Sequence, residues 1–292
     1  MRRLAMLALI AVMTVSASVP VSAVRADDAP SIAQFLKIRT PGLPDILPDG
    51  SLLQRDWPNG VWQIWRTTPK NPGPNASYAP GEVVRTQLTD FPDGAASFTL
   101  SPDGKRCLVL HARGGNENTQ ISLIDPMSPG IATLTPILAN PRVQATVNGW
   151  LRDGSGFFYS ANDESPNDFY LYRHDFASGK SVKILAEQGQ WTVSAINTDG
   201  SRVLVTQDIS ASDVRIWELE VATGQKRDIT PRPAGGTAAC GAVDYLPGDK
   251  SVLLASDRIA GMQRLFVVDL ETLKSTEPLP ARNILCDESY AV

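Results

Sequence analysis

Histidine and cysteine are scarce in this chain of 292 residues, with two of the first and three of the second. Two histidines, His111 and His174, cannot build a His-rich metal site, and no C-x-x-C or Cys/His cluster offers zinc ligands. The G-x-S-x-G pentapeptide of a hydrolase nucleophile elbow is also missing. Its nearest approach, Gly179-Lys180-Ser181, has Lys183 where the second glycine belongs. As a phosphate loop the same stretch would need its first glycine at His174, so it reads as a turn between strands. Positive charge is not in excess: 27 basic against 31 acidic side chains give a net charge of −4. That balance argues against nucleic acid or an anionic membrane as partner, since both need a basic face.

Long apolar runs are lacking too, apart from one at the N-terminus. Arg2-Arg3 precede a mostly apolar run of twelve residues, Leu4 to Val15, followed by small residues up to Val24-Arg25-Ala26. This is the pattern of a secretory signal over residues 1–26, leaving Asp27 as the mature terminus, with a cut after Ala23 as the competing choice. The run is too short for a bilayer span, which takes about 20 residues. No cysteine adjoins it, so a lipid-anchored precursor is not expected. The leader holds three of the basic residues and no acidic one, so its removal takes the net charge from −4 to −7. A periplasmic or secreted protein without a membrane span is expected. Cys107, Cys240 and Cys286 are an odd set, which leaves at least one thiol free. Cys107 in its apolar strand and Cys240 among small residues read as buried thiols rather than as a disulfide.

What the chain has in quantity is one turn, repeated. Leu47-Pro48-Asp49-Gly50, Ser101-Pro102-Asp103-Gly104, Arg152-Asp153-Gly154 and Thr198-Asp199-Gly200 are followed by a permuted Pro247-Gly248-Asp249. The five aspartates are 54, 50, 46 and 50 positions apart. Pro92-Asp93-Gly94 breaks the spacing and reads as a linker between units. A period of 40–50 residues fits one four-stranded propeller blade. Proline presets φ, aspartate bonds its own backbone and glycine takes φ > 0, as a hairpin turn requires.

After each turn comes a short, continuously apolar strand, such as Cys107-Leu108-Val109-Leu110 or Gly156-Phe157-Phe158-Tyr159. Unbroken hydrophobicity means that both faces are covered, as they are when a blade lies between two neighbours. An amphipathic strand follows, as in Val61 to Arg66, Gln120 to Asp125 and Val214 to Leu219. A small-residue turn and a polar fourth strand close the unit, and an outer polar strand resists edge-to-edge pairing. The units run over 41–90, 91–136, 137–187, 188–231 and 232–280. The proline-rich insertion from Lys70 to Pro80 can only be a surface loop. Its sequon Asn75-Ala76-Ser77 reads as chance. Residues 27–40 form a lead-in in which Ser31 to Ile38 could make one or two helical turns, and 281–292 form a tail too short for a blade.

No residue stands out as catalytic. His111 and His174 fall at strand ends of adjacent units without a recognisable nucleophile motif, and read as loop or edge structure. The loop Asn162-Asp163-Glu164-Ser165-Pro166-Asn167-Asp168 has carboxylates that could hold Ca²⁺, but its spacing matches no EF-hand and it reads as a solvated turn. Trp57, Trp62 and Trp65 read as blade core rather than as a ligand platform. No catalytic, cofactor-binding or metal-binding residue is therefore assigned, and no cofactor is expected.

Ala255-Ser256-Asp257-Arg258, Gly261 and Gln263-Arg264-Leu265-Phe266 carry a resemblance, together with Ser101-Pro102-Asp103-Gly104-Lys105 and the strand ends Gln87-Leu88-Thr89 and Asp228-Ile229-Thr230. They resemble the WD-like repeat of TolB proteins and of the N-terminal propeller of prolyl oligopeptidase-type serine peptidases, over about residues 41–280. The lead-in Ile32 to Ile38, with Gly42-Leu43-Pro44-Asp45, is similar to the peptidase lead-in, whereas TolB proteins carry an α/β domain there. The resemblance implies an all-β propeller of about five four-stranded blades, either whole or part of a six- to eight-bladed ring. It implies first the substrate-gating propeller of such a hydrolase, inactive without its α/β-hydrolase domain. The alternative is a stand-alone periplasmic module of TolB type. Either would meet a peptide substrate or a protein partner at a propeller face.

Overall fold

The structure is a computed structural model that describes residues 31–35, 42–232, 236–258 and 263–278. The expected leader, residues 1–26, and the tail, 281–292, lie outside the described residues, as does Cys286. The chain divides into two units, Met1–Arg39 and Thr40–Val292. In the first, α1 (Ile32–Phe35) opens on a reciprocal cap. Gln34 N donates to Ser31 Oγ at 3.1 Å, and Ser31 N donates to Gln34 Oε1 at 2.7 Å. Serine with glutamine three residues on satisfies two otherwise orphan amides, which is why the helix starts there. The expected continuation to Ile38 lies outside the described residues.

The second unit is a β-propeller of five antiparallel four-stranded sheets, each a simple meander. Blade 1 contains β1 (Asp45–Ile46), β2 (Leu52–Asp56), β3 (Gln63–Pro69) and β4 (Val83–Gln87). Blade 2 contains β5 (Ala95–Leu100), β6 (Cys107–His111), β7 (Gln120–Ile124) and β8 (Thr135–Leu138). Blade 3 contains β9 (Ala145–Trp150), β10 (Gly156–Ala161), β11 (Tyr170–Asp175) and β12 (Lys180–Leu185). Blade 4 contains β13 (Gln190–Ile196), β14 (Arg202–Ser210), β15 (Asp213–Glu220) and β16 (Lys226–Asp228). Blade 5 contains β17 (Cys240–Tyr245), β18 (Ser251–Ser256), β19 (Arg264–Asp269) and β20 (Ser275–Thr276).

The continuously apolar second strands are explained by two separate cores on their two faces. Cys107 and Val109 of β6 pack with Leu53 and Ile64 of blade 1. Leu108, between them, packs with Phe157 and Tyr159 of blade 3. Phe158 points the other way, to Val203 and Val205 of blade 4, while Leu204 joins Val252 and Leu254 of blade 5. Side chains alternate in direction along a strand, so a strand covered on both sides must be apolar at every position. β10 shows this best: all six of its residues are buried. At the two ends of the series the rule relaxes, and Leu52 of β2 and Leu253 of β18 are only half-buried. Cys107 and Cys240 are free thiols, both buried, and burial pushes the Cys107 thiol up.

The repeated turns join the first and second strands of every blade. In each, the fourth residue's amide donates to the carbonyl of the first: Gly50 to Leu47, Gly104 to Ser101, Gly154 to Leu151, Gly200 to Asn197 and Asp249 to Leu246. The four glycines have φ between 69° and 81°. The permuted copy puts Asp249 itself at that position, with φ 56°. Its freed carboxylate then reaches the preceding blade, accepting from Thr198 N and Thr198 Oγ1, both at 3.0 Å.

These turns also touch one another from each blade to the next along the series. A Cβ placed on Gly104 would lie 2.5 Å from Pro48 Cδ, and one on Gly200 would lie 2.4 Å from Leu151 Cδ2. Gly104→Ala is expected to cost about 2 kcal/mol, from left-handed backbone strain and from crowding a proline ring that cannot swing away. Urea unfolding checks this. An unchanged midpoint would mean that the turns do not pack as described.

Candidate functional site

The antiparallel meander sends the β2–β3 type of loop to the rim opposite the turns. Here the structure is open. The segment from Ala112 to Thr119, between β6 and β7, stands between two cavities of about 420 and 460 Å³. The larger of these lies over the start of β5, lined by Arg55, Trp62, Ala96, Glu117 and Gln144. Arg55 stacks on the Trp62 ring at 4.5 Å and donates to the Ala96 carbonyl. That carbonyl is exceptional for a reason of register. β5 carries one extra residue between Ala95 and Ser97, and β9, β13 and β17 carry the same kind of bulge. A bulge leaves its residue outside the ladder and sharpens strand twist. No residue type marks it, so the sequence did not reveal it.

The smaller cavity is walled by Leu134, Pro136, Leu138 and Pro141, with His111, Gln120 and Arg113 around its mouth. His111 ends β6 and pairs directly with Gln120 of β7. Its ring stacks on Phe91 at 4.1 Å and 14°, and its Nε2 lies 2.9 Å from Ser122 Oγ. Two buried atoms here lack a partner, His111 Nδ1 and Gln120 Oε1. A third cleft, of about 550 Å³, opens at the turn rim between blades 3 and 4. Its carboxylates are already engaged. Asp175 accepts from Ser178, and Asp199 from Ser201 and Asn197, so both are held low, Asp199 at about 2.

His174 is buried in β11, with Nδ1 3.0 Å from Ser181 Oγ. Both histidines thus occupy interior strands of their sheets rather than edges or loops, held by aromatic rings: Phe91 stacks on His111, while Phe157 lies tilted and Phe176 edge-on to His174. The two serine–histidine contacts went unseen because they join residues of neighbouring strands, and only the register brings them together. Among the described residues no carboxylate orients the other nitrogen of either ring, so neither pair has the third member of a Ser-His-Asp triad.

The acidic loop after β10 is tied down by its own blade and by the connection to the next. Asp163 accepts from Tyr172 Oη at 2.5 Å, Lys183 pairs with Glu164, and Asp168 accepts from Gly189 N at 2.8 Å. Of the tryptophans, Trp57 and Trp62 lie 5.7 Å apart at the loop rim, and Trp65 lies under the Arg85 guanidinium.

Burial holds both imidazoles below the ordinary histidine range, with Arg113 pushing His111 the same way. In the unfolded chain they titrate near about pH 6.5. The folded state therefore refuses protons that the unfolded state accepts. Stability should be full above about pH 6.5 and should fall as the pH drops below it. Comparing urea midpoints at about pH 7 and about pH 5.5 tests this. The double variant His111→Phe/His174→Phe should flatten the slope; a flat wild-type profile over that window would refute it.

No protein-family model matches the chain. It is 22% identical over 224 residues to the Tol-Pal system protein TolB of Wolinella succinogenes, covering 68% of this chain and 51% of that protein. The chain thus spans about half the length of this curated relative. Among solved structures it is similar to prolyl oligopeptidase B from Galerina marginata, with a TM-score of 0.60, 17% identity and coverage of 82% of this chain and 37% of the other. It is also similar to TolB from Acinetobacter baumannii, with a TM-score of 0.51, 17% identity and coverage of 81% and 53%. These likenesses show the fold: a TolB-like propeller repeat, of the kind that also forms the propeller of prolyl oligopeptidases.

Proposed function

We propose that this chain is an exported, non-catalytic propeller that holds a polypeptide on its loop rim. The contrast between its two rims carries the proposal. The turn rim is interlocked from blade to blade and its aspartates are spent on local bonds, whereas the loop rim presents two open cavities beside an exposed polar loop. The sequence likeness to TolB, a Tol-Pal system protein, supports a binding role.

A photo-crosslinking residue in place of Glu117, on the loop rim, should give a discrete polypeptide adduct in the exporting cell, suppressed by excess unlabelled protein. The same group at Lys180, on the turn rim, should give none. No saturable adduct at 117, or equal adducts at both positions, would overturn the proposal.

The better superposition on a prolyl oligopeptidase favours a second reading, in which the propeller gates a peptidase active site and its polypeptide is the substrate. Both readings expect the purified chain to leave peptide and ester substrates intact. Turnover lost on serine-directed inhibition would refute both.

A further inference from the structure

Within the loop rim, the cavity beside His111 has the chemistry of a peptide group set into an apolar wall. Gln120 is fixed by its two donor bonds, from Nε2 to Asn118 O at 3.0 Å and to Val143 O at 2.9 Å. Its Oε1 is left as an acceptor without a donor. His111 is fixed by the Phe91 stack and by Ser122. When the Ser122 hydroxyl donates to Nε2, the ring proton sits on Nδ1, the other unpartnered buried atom. Since His111 and Gln120 are direct partners across β6 and β7, one donor and one acceptor stand side by side. An amide N–H and C=O would complete them, and unmade bonds at buried atoms are costly.

The rest of the lining is mostly apolar, with Leu134, Leu138 and two prolines beside Asn116, Asn118 and Ser122, and about 420 Å³ is within the range of small-ligand sites. Arg113 at the mouth has no ion pair among the described residues, and it gives the rim a local positive charge. We propose that this cavity takes a leucine-sized side chain of an extended polypeptide together with its main-chain amide, bonded to Gln120 Oε1 and His111 Nδ1. The proposal rests on the loop-rim reading above and names what the rim recognises.

Titration of the full protein with N-acetyl-leucinamide, followed by amide NMR, tests it. The probe should shift signals of residues 111, 120 and 138 saturably below about 50 mM. Isopentanol, which has the side chain without the amide, should bind at least roughly fivefold more weakly, the loss of one or two neutral hydrogen bonds. Ala139→Trp, an exposed wall position, should abolish binding while leaving the thermal midpoint in place. His111→Phe keeps the stack on Phe91 and should reduce the preference for the amide. Absence of saturable shifts, or equal binding of isopentanol, overturns the proposal, the latter marking a cavity for a small lipophile. A 117 adduct without probe binding sinks this inference alone, and probe binding without the adduct sinks the loop-rim reading alone.

Discussion

Phe157→Ala is expected to lower the unfolding free energy by about 3–5 kcal/mol, the range for truncating a fully buried aromatic side chain. Phe157 has no exposed surface, and four rings surround it: Trp150 and Phe176 at 5.8 Å, Tyr159 at 5.7 Å and His174 at 5.3 Å. It sits in the core shared by blades 2 and 3, beside Leu108, Ile121 and Val143. Neighbours in two different sheets cannot close on the gap together, because each sheet is pinned by its own hydrogen-bond ladder. A cavity term should therefore add to the lost transfer energy. For a domain of this size the thermal midpoint would fall by roughly 10 °C. Ile209→Ala, at a position 53% exposed, is the control and should stay within about 0.5 kcal/mol. A cost below about 1 kcal/mol for Phe157→Ala would mean that blades 2 and 3 do not share a packed core.

The same residue marks how much could be read in advance. Gly156-Phe157-Phe158-Tyr159 announced a strand covered on both faces, and the turn spacing announced five blades, because both signals are local and repeated. The turn residues meet a backbone demand that recurs in every copy. What the sequence could not show depends on pairs far apart in the chain or on register. The bulges in β5, β9, β13 and β17 change no residue type and leave no pattern. The contacts His111–Ser122 and His174–Ser181 require knowing which strand residue faces which. The His111 cavity is harder still. Its walls come from β8 and the Ala139–Pro141 connection, a stretch that the unit boundary read at 136/137 divides between two blades. Asp249 is a middle case: its permuted turn was visible, but its bond to Thr198 of the preceding blade was not.

Glu218→Gln, a change of almost no volume, is expected to cost about 2–3 kcal/mol, because it removes the one carboxylate on which three donors converge. Glu218 lies on β15 with 5% of its surface exposed. Its Oε1 accepts from Arg202 NH1 at 2.8 Å and from Tyr245 Oη at 3.3 Å, and its Oε2 accepts from Arg227 Nε at 2.8 Å. Burial, and then the nearby carboxylate, push the Tyr245 hydroxyl well above its ordinary range, so it remains a donor throughout the working pH range. Tyr245 belongs to β17, and Arg202 also donates to the Asp249 carbonyl at 3.3 Å, so the network ties blade 4 to blade 5. The arginines are partly exposed, 34% and 48% by side chain, and water screens part of their loss, which keeps the figure below that of a fully buried pair. A double-mutant cycle of Glu218→Ala with Tyr245→Phe isolates the bond between blades and should give a coupling of about 0.5–1.5 kcal/mol. Arg227→Ala should cost less than either change at Glu218, since Arg202 and Tyr245 still hold the carboxylate. If Glu218→Gln left stability unchanged, the guanidinium groups would be serving solvent rather than the carboxylate, and the joint between blades 4 and 5 would rest on Ala195, Leu204, Val252 and their apolar neighbours together with the Asp249 bonds to Thr198.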